Sequence, residues 1–134
     1  SSWAAQEARF TYETLGVNGR ARSGDLFAEK LPGSGETVLL AWVVNELPEG
    51  LRAKLLPALF ACGAQVLVIE PIATRLLPWW SEWRQAFEAR GGRADEWRFP
   101  ATLPARLKEL DHAAGLRHDE LTARSLYLPA SLKP

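Results

Sequence analysis

The hydrophobic pattern is sharpest in the middle of the chain. Val38, Leu39, Leu40, Ala41, Trp42, Val43 and Val44 are consecutive apolar residues. That run predicts a strand over Val38–Val44 covered on both faces, as in a parallel sheet. Gln65–Ile69 reads as a second buried strand, ending at Glu70 and Pro71. Between them, Leu51, Leu55, Leu56 and Leu59 recur at helical spacing, with Pro48 in the first turn and Gly63 as a stop after Cys62. Pro57 inside this helix is expected to kink or shorten it. A right-handed crossover through the helix would make the two strands parallel neighbours.

The flanks carry weaker patterns. Ser1–Leu15 predicts a helix with Ala4, Ala8, Tyr12 and Leu15 on one side, a serine cap and Gly16 at its end. Gly19–Asp25 alternates enough to predict a short strand, Phe27–Leu31 one helical turn, and Pro32-Gly33-Ser34-Gly35 a loop. Pro78–Ala89 predicts a helix with Trp79, Trp80, Trp83 and Phe87 near one side, either packing on the sheet or walling a substrate. Arg93–Phe99 reads as a strand or ordered loop. Thr102 and Pro104 open a helix with an apolar stripe of Leu103, Leu107, Leu110 and Ala114. Leu116–Thr122 and Arg124–Leu128 complete the chain as strands. The alternation predicts a single α/β domain over residues 1–134, with an open, mostly parallel sheet and an antiparallel C-terminal strand.

Composition narrows the chemistry. The 134 residues are 47% apolar and 24% charged, which describes a globular chain rather than a disordered one. Lys+Arg and Asp+Glu both number 16, so charge does not indicate a nucleic-acid partner, although a local patch remains open. With Cys62 its one cysteine, the chain has no disulfide framework, and with two histidines that residue makes a weak metal-ligand set. Leu55–Ile69, interrupted by Pro57, Gly63 and Gln65, is too short to span a bilayer, so a cytoplasmic protein with no membrane partner is expected. The chain contains no methionine, and its start within a helical pattern reads as a fragment or as initiator removal. Neither G-x-G-x-x-G nor a P-loop occurs, and Gly33-Ser34-Gly35 is not a nucleophile elbow. His112 and His118 read as surface or partly packed residues, and Cys62 as an apolar filler. Arg84, Arg90, Arg93 and Arg98, interleaved with Glu82, Glu88, Asp95 and Glu96, read as a solvated ion-pair face.

Position then points to a ligand. In open α/β sheets ligands bind beyond the carboxyl ends of the strands. Those ends hold Gly24–Phe27, Trp42–Glu46 and Glu70–Ile72, which offer a carboxylate, an amide and apolar shelves for a flat heteroaromatic ligand with donor groups. Helix Ser1–Leu15, Arg22-Ser23-Gly24-Asp25-Leu26, Leu39-Leu40-Ala41-Trp42-Val43-Val44-Asn45-Glu46-Leu47-Pro48 and Val66-Leu67-Val68-Ile69-Glu70-Pro71 resemble the later motifs of class I S-adenosylmethionine-dependent methyltransferases. The Asn-Glu-Leu-Pro turn and the Val-Ile-Glu-Pro strand end are similar to the branch that includes the methyltransferase-like protein of the mitochondrial small ribosomal subunit, whose marker cysteines this chain lacks.

The resemblance implies a Rossmann-like fold whose N-terminal part is missing, because the family's glycine-rich loop and ribose-binding acid would lie before Ser1. It implies S-adenosyl-L-methionine as cofactor and methyl transfer to an unidentified acceptor, or else a non-catalytic binding or assembly module of the same fold. Asp25 would accept a hydrogen bond from the adenine amino group with Leu26 or Phe27 on the ring, although Ser23-Gly24-Asp25 is equally turn-capping chemistry. Ala41 and Trp42 would face the sulfonium, with core packing the other reading for Trp42. Asn45 and Glu46 would begin the substrate side, or cap the Pro48 helix. In the complete fold two further strands separate Gly19–Asp25 from Val38–Val44. The Val38–Val44 edge would therefore be covered by the missing N-terminal segment or by a second chain, unless the strands rearrange.

Overall fold

The computed structural model describes residues 1–72, 77–116 and 118–130. The chain divides into two compact units, Ser1–Lys30 and Leu31–Pro134.

In the first unit, helix α1 spans Ser2–Thr14, and the Ser1 hydroxyl accepts the Ala4 N–H at 3.4 Å. Gly16 closes it with φ +64°, a conformation that costs glycine nothing. The inward stripe is Ala5, Ala8 and Tyr12, one position off the predicted start at Ala4. The Gly19–Asp25 segment is not a strand. It folds back on α1 instead: Arg9 donates to the Ala21 carbonyl at 3.2 Å, and Gly19 lies so close to the Tyr12 ring that a Cβ there would sit 2.8 Å from it. Residues 26–28 form a turn rather than the helical turn predicted over Phe27–Leu31.

The second unit holds an open four-stranded mixed sheet in the order β1-β2-β4-β3, with β1 Thr37–Ala41, β2 Gln65–Glu70, β3 Arg93–Pro100 and β4 Glu120–Leu128. Helices α2 (Glu49–Ala61), α3 (Trp80–Glu88) and α4 (Ala105–Ala113) alternate with the strands. As expected, β1 and β2 pair in parallel, Val38 opposite Val66 and Leu40 opposite Val68. The sheet is not mostly parallel by pairing, however. The C-terminal strand is antiparallel, and it inserts between β2 and β3, which turns both of its contacts into antiparallel ones.

Register puts Val38, Leu40, Val66, Val68, Leu126 and Leu128 on one face, and all six are buried. Helix α2 runs through Pro57 without being shortened, burying Leu55 and Leu59, and Phe60 meets Phe87 of α3 edge-on at 5.3 Å. Trp80, Trp83 and Phe87 are buried, which makes α3 a packing helix. The opposite face is more open. Thr37, Gln65 and Tyr127 form a polar ladder across three strands, at 3.1 and 2.6 Å, while Leu39 is 58% exposed. The continuous apolar run therefore does not make β1 a strand covered on both faces, and β1 is an edge.

Two further expectations change. The strand ends at Ala41 rather than Val44, because Trp42 adopts φ +55° and Val44–Glu46 form a 3-10 turn. The predicted C-terminal strands are one, Glu120–Leu128, with His118 preceding it; position 117 of the predicted Leu116–Thr122 segment lies outside the described residues. The arginine stretch is an ion-pair surface, with Arg84–Glu88, Arg93–Asp95 and Arg98–Glu120 contacts at 2.9, 2.9 and 3.4 Å. No described helix is long and apolar enough to cross a membrane.

Candidate functional site

Because β4 runs against both β2 and β3, those two strands share a direction, and β1 shares it too. The carboxyl ends Ala41, Glu70 and Pro100 therefore lie toward one edge of the sheet, where a ligand of an open α/β sheet is expected. The β3–β4 ribbon continues for four residue pairs past the level of Glu70 and Arg124.

Geometry at the β1–β2 tips is tightly specified. Trp42 extends the parallel ladder by one bond, its N–H donating to the Ile69 carbonyl at 2.9 Å, and then turns left-handed. A bulky residue rarely adopts this conformation, and such outliers cluster at ligand-binding turns. The side chain is 56% exposed, so Trp42 is not a core residue. The next turn sinks Val44 into the core and leaves Asn45 half-buried and Glu46 exposed.

Glu70 anchors that turn. Its carboxylate is wholly buried, and Oε1 accepts the Asn45 N–H at 3.1 Å, while Oε2 has no partner among the described residues. Burial pushes its pKa above the usual glutamate value; the Asn45 and Val44 N–H groups oppose that, and the nearby Glu46 charge adds to it. Across the ladder, Arg124 is Glu70's register partner, is buried, donates to the Ile72 carbonyl and lies 4.9 Å over the Trp80 ring. Sequence reasoning gave Glu70 only a place at the strand end and passed over Arg124. The available signal was the alternation Val66, Val68, Glu70, which carries a charge into an inward position.

The structure thus brings Ala41, Trp42, Asn45 and Glu46 into one strand-tip turn. Asp25 and Leu26 belong to the other unit. There Asp25 Oδ1 accepts the Phe27 N–H at 2.9 Å and its carbonyl accepts the Ala28 N–H at 3.1 Å, an Asx turn, with Leu26 half-buried. Turn capping is therefore a function Asp25 performs. Asn45 and Glu46 make no side-chain cap of α2; its N-cap is Pro48. No protein-family model and no curated protein matches the chain.

Proposed function

We propose that the chain is the C-terminal portion of a Rossmann-like, class I S-adenosylmethionine-dependent methyltransferase domain whose glycine-rich cofactor loop lies in a preceding segment. One observation carries the reading: three like-directed strands with carboxyl ends toward one edge, and a single reversed strand, the last, inserted among them. The left-handed, exposed Trp42 at the first of those ends supports it, because an indole beside a sulfonium contributes about 0.5–2 kcal/mol.

In this reading the bound cofactor would supply an electrophilic methyl group for in-line transfer to an acceptor nucleophile. The cofactor supplies the reactivity, and the protein aligns and shields. The resemblance gives Asp25 and Leu26 the adenine side of the cofactor, and Ala41 and Trp42 are the residues that would face the sulfonium. Asn45 and Glu46 orient the acceptor, with Glu70 fixing their turn from below. The missing N-terminal segment, or a second chain, covers the β1 edge.

Calorimetric titration of S-adenosylmethionine into the complete gene product, including whatever is encoded before Ser1, tests this. Saturable binding is expected, and Asp25→Ala should weaken it by about 1–3 kcal/mol if the charge-assisted hydrogen bond forms. Binding of NAD or a flavin instead would overturn the reading. A folded product that takes no nucleotide would leave an assembly module.

A further inference from the structure

A cleft lies where α4 faces the end of β3 and the start of β4. It encloses about 350 Å³ and is lined in part by Thr102, Lys108, Asp111, His112, His118 and Asp119. Its frame is fixed. The Ala101 N–H donates to the Asp119 carbonyl at 2.8 Å, tying the two strands, and Leu116 N–H returns to the Asp111 carbonyl at 2.9 Å after the left-handed Gly115.

Within it Asp111 and His118 form a locked pair. Asp111 is only 9% exposed; its Oδ2 accepts the His118 backbone N–H at 2.9 Å and its Oδ1 meets the ring Nδ1. With Nδ1 engaged, Nε2 is the ring's remaining nitrogen, on a side chain that is largely exposed. Lys108 and His112, one turn apart on α4, bring an ammonium and a second imidazole to the same cleft, and Thr102 brings a hydroxyl.

Both Asp111 oxygens are tied to His118, and no group of three His, Cys, Asp or Glu side chains among the described residues is placed to hold a metal. The remaining donors outnumber the one remaining carboxylate, Asp119. We propose that this cleft binds a phosphate-type oxyanion that keeps an O–H, received by Lys108, His112, Thr102 and His118 Nε2, with that O–H directed to Asp119. The carboxylate sets the selectivity: it pairs with a phosphate hydroxyl but faces an unprotonated oxyanion as a like charge.

The chain's two histidines make the test direct, because the imidazole C–H signals of His112 and His118 can be followed by NMR on the intact chain. Near pH 6, inorganic phosphate should shift both signals saturably, with sulfate about tenfold weaker and Lys108→Ala about tenfold weaker for phosphate. Glycerol phosphate, which loses its one phosphate hydroxyl with a pKa of about 6, should bind more weakly at pH 8 than at pH 5.5, whereas inorganic phosphate keeps an O–H at both. Glycerol phosphate binding as well as inorganic phosphate would support a phosphomonoester ligand, and inorganic phosphate alone would support the free ion. Absence of a saturable shift at about 50 mM phosphate, an equal response to sulfate, or an unchanged response in Lys108→Ala overturns the proposal.

Discussion

Helices α3 and α4 have the same length and opposite fates. Each has nine residues and an apolar stripe near its predicted register. In α3 the stripe reaches the core: Trp80, Trp83 and Phe87 are buried, Trp83 stacks on Phe87 with centroids 6.4 Å apart, and Phe87 meets Phe60 of α2. In α4 the stripe stays outside. Leu107 is 51% and Leu110 66% exposed, and the helix's one buried residue is Asp111. Spacing therefore states that a helix is amphipathic, but not which side finds something to pack against. A polar pair anchors α4 where apolar surface anchors α3.

The sharpest way to break that contrast is to truncate α3. Phe87→Ala removes a fully buried ring between two helices and should destabilise the protein by about 3–5 kcal/mol in denaturant unfolding. A loss below about 1 kcal/mol would mean that α3 is as loosely held as α4. Just after it, Gly92→Ala is the next largest. A Cβ at position 92 would lie 2.5 Å from the Tyr127 carbonyl oxygen and 2.9 Å from that of Phe87, both backbone atoms that cannot rotate away. We expect a cost of about 1–3 kcal/mol, read as an earlier unfolding midpoint with an unchanged denaturant slope. Gly91→Ala tests a different cause, since its space is open and only its φ of +78° opposes a side chain.

The same contrast explains what was legible in the sequence. Strands β1 and β2, the helix between them, α3 and the reversed last strand could be read, because their inward apolar positions meet other apolar positions in the fold. The end of β1 could not. Trp42, Val43 and Val44 continue the hydrophobic run, and nothing in composition signals that a tryptophan will turn left-handed and stand in solvent. Gly19–Asp25 has the alternation of a strand but a local partner: the Tyr12 ring and the Arg9 guanidinium of α1 hold it, so no sheet is needed. The rule that ligands gather at strand ends points to Trp42–Glu46, whereas Ala41 enters only through the family resemblance. The roles of Glu70, Arg124 and the Asp111–His118 pair could not be read in this way, because each depends on what tertiary structure places beside a charge.

On the α4 side the expected effects are smaller and depend on pH. The His118 backbone N–H first, and its ring second, hold the Asp111 carboxyl below the ordinary aspartate value of 3.8. A depressed folded pKa favours the ionised, folded state, so this stabilisation is present above about pH 4 and is lost as pH falls through the lowered value. Thermal unfolding of the protein and of Asp111→Asn should differ at pH 6 and converge as acid protonates the carboxylate. A gap that stays constant down to pH 2 would show that Asp111 acts by shape alone. Replacing His118 by alanine removes the ring but keeps the N–H, so the Asp111 carboxyl resonance should titrate only part of the way back toward 3.8.

The smallest change should come from the exposed stripe itself. Leu107→Ser and Leu110→Ser replace side chains that are mostly in water, and each should alter stability by no more than about 0.5 kcal/mol. That near-silence is the counterpart of the Phe87 result, since the two helices differ in what surrounds the leucines and aromatics rather than in their hydrophobicity. The measurement belongs at two protein concentrations. If the serine variants lose about 2 kcal/mol, and lose more at high concentration than at low, the stripe is covered in solution by another copy of the chain, and α4 rejoins α3 as a packing helix whose partner lies outside its own fold.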